Sequence, residues 1–360
     1  MYDLSQITPL IIDHKASLIE AMRQMDENDC KSLLVTKEGE YYSLISIGDI
    51  QRRILSKGSL NYKVGEVLRN KITVGKTTDT TAAVRDLMEE KRIELLPILD
   101  EQGKLNDVIF WRERYERKQK KSKLLGNIPV VIMAGGKGTR LKPITDVIPK
   151  PLVPLGGKPM VETIIDSFCE EGACNFYLSV NYKADFIKFH FDSIQNKSYQ
   201  VHYFKEPQPL GTAGSLRLLK DTIQTTFFVS NCDIIIDQDY KDILQYHKAN
   251  NNELTAVATI KEYNIPYGTM EISEKGLLTK LTEKPNLTYY VNAGVYILEP
   301  HLLDEIPEEE GLFHITHLME QIMAREGKVG VFPVSEGAWM DIGNWKEYDK
   351  SQSSFKQRFG

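Results

Sequence analysis

No apolar run in this 360-residue chain approaches the roughly 20 residues that a membrane-spanning helix needs. Ile128–Ala134 is among the longest. Met1–Leu10 has no cationic start leading into an apolar stretch, so no secretory signal is expected and no membrane partner. Cysteine is scarce. Cys30, Cys169, Cys174 and Cys232 are scattered, with no C-x-x-C pair and no metal-finger spacing. That excludes a disulfide framework and points to free thiols in a reducing, cytoplasmic setting. An excess of positive charge is lacking too. The 45 basic and 50 acidic residues give a net charge of −5, so no whole-domain basic footprint exists and no nucleic-acid partner is expected. What is present, 41% apolar and 26% charged residues, is the composition of a globular chain of two to three domains.

The charge is unevenly shared. Up to Asn127 there are 22 basic and 20 acidic residues, and beyond it 23 and 30. Arg112–Lys123 holds seven basic residues against two acidic ones, which reads as a solvated helix end and linker. It runs into a polar stretch punctuated by Gly126 and Pro129. The boundaries expected are 1–118 for a first domain, 119–127 for a linker and 128–360 for a second domain.

The first domain contains a repeat. Met25–Val35 (MDENDCKSLLV) lies over Met88–Ile98 (MEEKRIELLPI) at an offset of 63, then 64 after one insertion. Each copy reads as an amphipathic helix (Ser17–Met25, Thr81–Glu90), a strand (Leu33–Val35, Leu95–Leu99), a Gly turn and a second strand. So small a unit cannot bury its sheet alone, so the copies should pack together, and a homodimer or higher homo-oligomer is expected. This pattern resembles a tandem pair of cystathionine β-synthase (CBS) domains. The resemblance implies a Ser/Thr-x-x-Asp that receives a nucleotide, its hydroxyl on phosphate and its carboxylate on ribose. Ser46-Ile47-Gly48-Asp49 offers that pattern once, for an adenine or guanine nucleotide; Phe110-Trp111-Arg112-Glu113 destroys it in the second copy. The plain alternative is that Gly48-Asp49 turns the chain and caps a helix starting near Ile50, with the pair serving as scaffold.

In the second domain, strands are expected at Ile128–Met133, Phe176–Val180, Phe227–Ser230, Leu254–Ile260 and Tyr290–Leu298. Helices are expected at Asp239–Asn250 and Phe313–Glu326. Such alternation means a doubly wound α/β sheet with ligands at the carboxyl ends of its strands. The first strand runs into Gly135-Gly136-Lys137-Gly138-Thr139-Arg140, whose bare backbone N–H groups can approach phosphate. It is neither a P-loop nor G-x-G-x-x-G. Arg140, Lys142, Lys150 and Lys158 follow closely, and prolines beside the last two fix their presentation. Several cations aimed at one glycine loop suit a triphosphate.

The string GGKGTRLKPITDVIPKPLVPLGGKP closely resembles the signature of nucleoside-triphosphate:sugar-1-phosphate nucleotidylyltransferases. Glu206-Pro207 before Leu210-Gly211-Thr212-Ala213-Gly214, Asn231-Cys232-Asp233, Glu283-Lys284-Pro285, Val291-Asn292-Ala293-Gly294 and Trp339-Met340-Asp341-Ile342-Gly343 continue the likeness in the family's order. The resemblance implies a Rossmann-like doubly wound mixed sheet preceded by the smaller CBS pair. It implies transfer of a nucleotidyl group from a nucleoside triphosphate to a sugar 1-phosphate. It places Gly135, Gly136, Glu206, Gly211 and Thr212 on the nucleotide, and gives Arg140, Lys150 and Asp233 the catalytic roles. Asp233 and Asp341 become ligands of Mg2+, and Gly268, Glu283, Lys284 and Asn292 the sugar-phosphate contacts. The attacking phosphate oxygen is already anionic, so the reaction needs charge neutralisation and positioning, not a base.

Glu206 bears on the base. Guanine presents adjacent N1–H and N2–H donors that a carboxylate accepts in bidentate fashion, whereas uracil and thymine suit an amide. That favours GTP, and a likeness to mannose-1-phosphate and glucosamine-1-phosphate guanylyltransferases, the latter of legionaminic acid pathways. The alternatives are a UTP- or dTTP-dependent glucose-1-phosphate enzyme, or an inactive nucleotide-sensing paralogue. Such paralogues usually lose one of the catalytic groups; Arg140, Lys150, Asp233 and Asp341 are all present here.

Overall fold

A computed structural model describes residues 7–91, 93–111, 125–308, 311–349 and 351–352. The basic stretch 112–123, Arg112-Glu113 of the second repeat and most of the 119–127 linker lie outside them. The chain divides into two compact units, Met1–Gln119 and Lys120–Gly360.

The first unit is the repeat made visible. β1 (Ile11–Asp13), α1 (Leu18–Glu27), β2 (Ser32–Lys37), β3 (Glu40–Ser46) and α2 (Ile47–Lys57) form one copy; β4 (Gly75–Lys76), α3 (Thr81–Lys91), β5 (Leu95–Leu99) and β6 (Leu105–Phe110) form the other. The two sheets, β1-β2-β3 and β4-β5-β6, share one order, a parallel pair and then an antiparallel hairpin. Leu33 pairs with Ile45 as Leu96 pairs with Ile109, and a bulge follows Val35 as one follows Ile98. Even the Ile47 N–H to Lys31 carbonyl bond recurs as Trp111 to Glu94, both at 2.9 Å. α1 begins in a capping box, with Ser17 N–H donating to Glu20 at 2.6 Å and Glu20 N–H to Ser17 Oγ at 3.1 Å. α2 starts at Ile47, three residues ahead of the expected start, because Ser46 is its cap and Asp49 answers from the first turn.

The second unit is built on a seven-stranded sheet in the order β11-β10-β7-β12-β17-β14-β18. Its strands are β7 (Val130–Met133), β10 (Asn175–Val180), β11 (Gln200–Lys205), β12 (Phe227–Asn231), β14 (Leu254–Asn264), β17 (Asn286–Leu298) and β18 (Val329–Val334). Only β17 runs against the others. Val130, Val131 and Ile132 are fully buried, as a central parallel strand covered on both faces requires. Phe227 and Phe228 point to opposite faces. Phe228 meets Phe168 of α4 (Met160–Glu170) and Tyr240 of α6 (Tyr240–Ala249), whose rings stack at 3.9 Å. Phe227 joins Leu298, Leu318 and Ile322, the last two from α7 (Ile315–Ala324). α5 (Ala184–Ser193) follows β10.

The chain order goes from β7 outward to β10 and β11, then returns to β12 on the other side of β7. The sheet therefore reverses direction between β7 and β12, where an open α/β sheet places its ligand. β14 and β17 run four residues further than expected, to Asn264 and from Asn286. Their extensions, Lys-Glu-Tyr-Asn and Asn-Leu-Thr-Tyr, pair only with each other and are mostly polar, so no apolar run marked them. Two small sheets escaped the reading altogether: β13 (Ile234–Ile236) with β19 (Trp339–Asp341), and the hairpin of β15 (Thr269–Ile272) with β16 (Leu278–Thr282). Pro154–Leu155 and Lys158–Pro159, β8 and β9, form a third.

An ion network ties the end of α7 to the start of β14. Arg325 pairs with Glu253 and with Glu305 at 2.7 Å, and His301 meets Glu253 at 2.9 Å. The Arg325 guanidinium holds the Glu253 carboxyl down at about 2. Glu253→Gln should cost about 1–2 kcal/mol at pH 7, since the pair is partly solvated. Folding depresses this pKa, so the stabilisation is whole above the unfolded value of 4.5 and fades as pH falls toward 2. Thermal melts should separate wild type from variant at neutral pH and converge in acid; a gap indifferent to pH would refute the assignment.

Candidate active site

The glycine loop leaves β7 at the sheet's reversal. Ala134 N–H donates to the Ser179 carbonyl at 3.1 Å, which lays the loop across the end of β10. A Cβ on Gly135 would stand 2.9 Å from Glu206 Oε1, so a side chain there would have to displace that carboxylate. Around Gly136 a Cβ would meet nothing within 4 Å, leaving open space over the loop. Gly138, at φ +64°, is pressed onto Lys150 and Thr145, with 2.8 Å from a Cβ there to Lys150 Cβ. Arg140 and Lys137 are exposed.

Lys150 is buried and donates to Asp233 Oδ2, itself buried. Burial alone would lower the Lys150 pKa; Cys232 and Asp233 beside it more than offset this, and it lies above the ordinary lysine value. Asp233 follows β12, the strand beside β7. β13 then pairs antiparallel with β19, Ile234 opposite Asp341, and Ile342 N–H donates to the Asp233 carbonyl at 2.8 Å. That small sheet brings the two aspartates together. A Cβ on Gly343 would lie 2.8 Å from Asp233 Oδ2, 2.8 Å from Asp341 Oδ1 and 2.9 Å from an Arg140 terminal nitrogen, so the three groups converge on one point. Burial and then the Asp233 charge push Asp341 above the usual carboxylate range, against the Gly343 N–H at 2.7 Å and the Arg140 and Lys150 charges. Two converging carboxylate oxygens of this kind fit a hard divalent cation.

Glu206 is buried at the end of β11. Its carboxylate accepts from the Ser179 hydroxyl and, at 3.5 Å, from Leu210 N–H, which leaves lone pairs unspent. The loop beyond it is clamped by the segment before α7. Ala213 and Gly214 N–H both donate to the Phe313 carbonyl at 3.0 Å, and Phe313 N–H to Leu210 at 2.8 Å. Thr212 is spent on the same clamp: its N–H faces His314 Nδ1 at 3.4 Å and its hydroxyl accepts from Ile315 N–H at 3.1 Å. Gly211 N–H alone among the Leu210–Gly214 amides has no protein acceptor among the described residues.

On the other side, Gly294 backs onto Asn231, 2.7 Å from a Cβ there to Asn231 Nδ2. Asn292 Oδ1 accepts from Gly294 N–H at 3.0 Å and from the Tyr296 hydroxyl at 2.9 Å. Trp339 donates to the Ala293 carbonyl at 3.2 Å, which fixes β19 on β17. Gly268 and Glu283 touch, with 2.9 Å from a Cβ on Gly268 to Glu283 Oε2, and Lys284 holds a left-handed φ of +42°. These three stand out along the β14–β17 ribbon, and no contact among the described residues joins them to the aspartates. In the first unit, Asp49 is buried, with its carboxylate fully engaged: Ser46 N–H and Oγ, Arg52, and Arg69 Nε and Nη2 at 2.6 and 3.0 Å. A ribose would have to displace Arg69.

Sequence reading missed Ser179, Phe313 and His314, which act across the sheet with no spacing to announce them. Gly343 and Gly294 stood inside recognisable motifs, yet their close approaches were invisible.

The profile of the family described as Nucleotidyl transferase matches residues 129–358. The chain belongs to the nucleotidyl transferase family. The CBS domain profile matches residues 3–56, the first repeat. Among similar proteins, the mannose-1-phosphate guanyltransferase of Saccharomyces cerevisiae is 34% identical over 227 residues, 61% of this chain and 62% of that protein. The mannose-1-phosphate guanylyltransferase catalytic subunit beta of Dictyostelium discoideum is 35% identical over 227 residues, 61% and 62% of the two chains. The chain thus spans about three-fifths of the length of these curated relatives. HddC from Yersinia pseudotuberculosis is similar in structure, with a TM-score of 0.51 and 28% identity over 63% of this chain and 99% of that one. Its complex with GMP-PN gives 0.50 and 27% at the same coverage. No helix among the described residues of this nucleotidyl transferase is long and apolar enough to cross a membrane.

Proposed function

We propose that the second unit transfers a guanylyl group from GTP to a sugar 1-phosphate, a hexose or hexosamine such as mannose or glucosamine, and releases pyrophosphate. The convergence of Asp233, Asp341 and Arg140 beside the glycine loop carries this reading. The reaction brings two anions together, so its barrier is repulsion. Mg2+, held by Asp233 and Asp341, would supply positive charge at the triphosphate. Gly135 and Gly136 let the backbone meet the phosphates, and Arg140 neutralises the departing pyrophosphate. Lys150, fixed on Asp233, offers its ammonium to the α-phosphate or the attacking phosphate. Lys284 takes the sugar phosphate, and Gly268, Glu283 and Asn292 the sugar hydroxyls. No group need remove a proton, because the attacking oxygen is anionic.

Glu206 and Gly211 read the base. The unspent lone pairs of Glu206 suit the two adjacent donors of guanine, and Gly211 N–H supplies a donor beside them. The guanylyltransferase relatives and the GMP-PN complex of a similar structure agree with this choice. The first unit, read as a tandem CBS pair, serves chiefly as scaffold, because Asp49 is engaged by Arg52 and Arg69. Four cysteines without a disulfide fit a cytosolic setting.

The test is a matrix of nucleoside triphosphates against sugar 1-phosphates, read as pyrophosphate release with Mg2+. GTP should lead, and Glu206→Gln should erode its lead by on the order of 1–3 kcal/mol, the value of one charge-assisted hydrogen bond. A wild-type enzyme that prefers UTP, dTTP or CTP would refute the base assignment. No release with any pair would refute the reaction.

A further inference from the structure

Three consecutive residues at the end of β10 hold Glu206. The Val180 carbonyl accepts from Glu206 N–H at 3.2 Å, and the Asn181 side-chain amide donates to the Glu206 carbonyl at 3.0 Å. Ser179 holds the side chain, its hydroxyl donating to Oε1 of the carboxylate. Ser179 is fully buried, and its neighbours across the sheet are Met133 of β7 and Phe204 of β11. Neighbours in register share a face, so the hydroxyl stands in an otherwise apolar row. A hydroxyl buried there costs free energy unless it is hydrogen-bonded, and Glu206, two residues beyond Phe204, is the partner it meets. The glycine loop closes over both. A Cβ on Gly135 would stand 3.3 Å from Ser179 Oγ as well as 2.9 Å from Glu206 Oε1, and Ala134 N–H is fixed on the Ser179 carbonyl. Ser179 thus meets the glycine loop with its backbone and the Glu206 carboxylate with its side chain.

The last torsion of a glutamate is soft and roughly two-fold, so a carboxylate held at neither oxygen turns readily. Bidentate recognition needs both oxygens in the plane of their two donors. Each carboxylate oxygen can accept twice, so the Ser179 bond leaves Oε1 a lone pair for a ligand. We propose that Ser179 sets the purine specificity of this site: by fixing the rotation of Glu206 it makes GTP preferred over inosine triphosphate, which keeps the N1–H of guanine but lacks the adjacent 2-amino donor. This role rests on Glu206 reading the base, as proposed above. A turning carboxylate can still follow one donor with one oxygen, but it cannot hold two. Ser179 is therefore a positioning residue, acting through Glu206.

The test measures kcat and KM of the full-length protein by pyrophosphate release with Mg2+, from GTP and from inosine triphosphate, with mannose 1-phosphate and glucosamine 1-phosphate as acceptors. Wild type is compared with Ser179→Ala and with Ser179→Cys, which nearly keeps the size of the side chain but offers only a weak S–H donor. Thermal melts confirm that each variant folds. Wild type should favour GTP by roughly tenfold or more in kcat/KM, the worth of one charge-assisted hydrogen bond. Both variants should bring that preference to within about threefold, through a higher KM for GTP, with kcat and the KM for inosine triphosphate nearly unchanged. A preference kept by either variant would overturn the role, in Ser179→Cys by showing that only size matters there. Equal losses on both nucleotides would overturn it too, since they mark a bond that merely supports the fold. A wild type that treats the two nucleotides alike would instead refute Glu206 as the reader of the base, and no release from GTP would refute the reaction; either takes the role of Ser179 with it.

Discussion

Asp341→Ala should abolish pyrophosphate release, by roughly a thousandfold or more, and leave the protein as stable as wild type or slightly more so. The loss follows from removing half of the carboxylate pair that would hold the metal, a group worth several kcal/mol of charge stabilisation. The unharmed fold follows from electrostatics. Burial and the Asp233 charge hold Asp341 above its ordinary pKa, so its ionised form is a liability to the folded chain. Asp233→Ala should abolish release as completely, but at a cost in stability of about 3–5 kcal/mol, because it strands the buried Lys150 ammonium without its partner. The motifs alone make the two aspartates equivalent ligands; the Lys150 contact separates them. Activity assays with saturating Mg2+, paired with thermal melts, check both halves. Either variant within tenfold of wild-type activity would sink the two-carboxylate reading, and equal melting losses would sink the distinction.

Gly211→Ala should be the most damaging small change to the nucleotide loop. Gly211 has φ +87°, and a Cβ there would come 2.5 Å from the Phe313 carbonyl oxygen and 2.9 Å from its backbone carbon and nitrogen. The obstacle is backbone, and that backbone is tied by three hydrogen bonds to Leu210, Ala213 and Gly214. It cannot yield without freeing the loop that would carry Gly211 N–H toward the base. We expect kcat/KM for GTP to fall on the order of a hundredfold, and stability by about 2 kcal/mol. Gly136→Ala is the control: open space surrounds its Cβ, so its melting temperature should match wild type. A Gly211→Ala enzyme with wild-type kcat/KM would show that the clamp does not position the loop.

Much of this protein was written locally and could be read locally. The repeat was legible because its offset of 63, then 64, recurs in strand pairing, bulge position and a single backbone bond. The glycine loop, the apolar central strand and the helices α6 and α7 were legible for the same reason: each is a contiguous pattern whose period or punctuation shows in a short window. The sequence by itself also nominated Lys150, Asp233, Glu206 and Asp341, through motifs. What it could not decide was which of these would touch. Asp233 meets Asp341 because β13 pairs with β19, Glu206 lies beneath Gly135 because β11 and β7 flank β10, and Phe313 clamps a loop about a hundred residues earlier in the chain. These are non-local choices, set by strand order and pairing once the whole sheet has closed, and no window of sequence contains the energy difference that makes them.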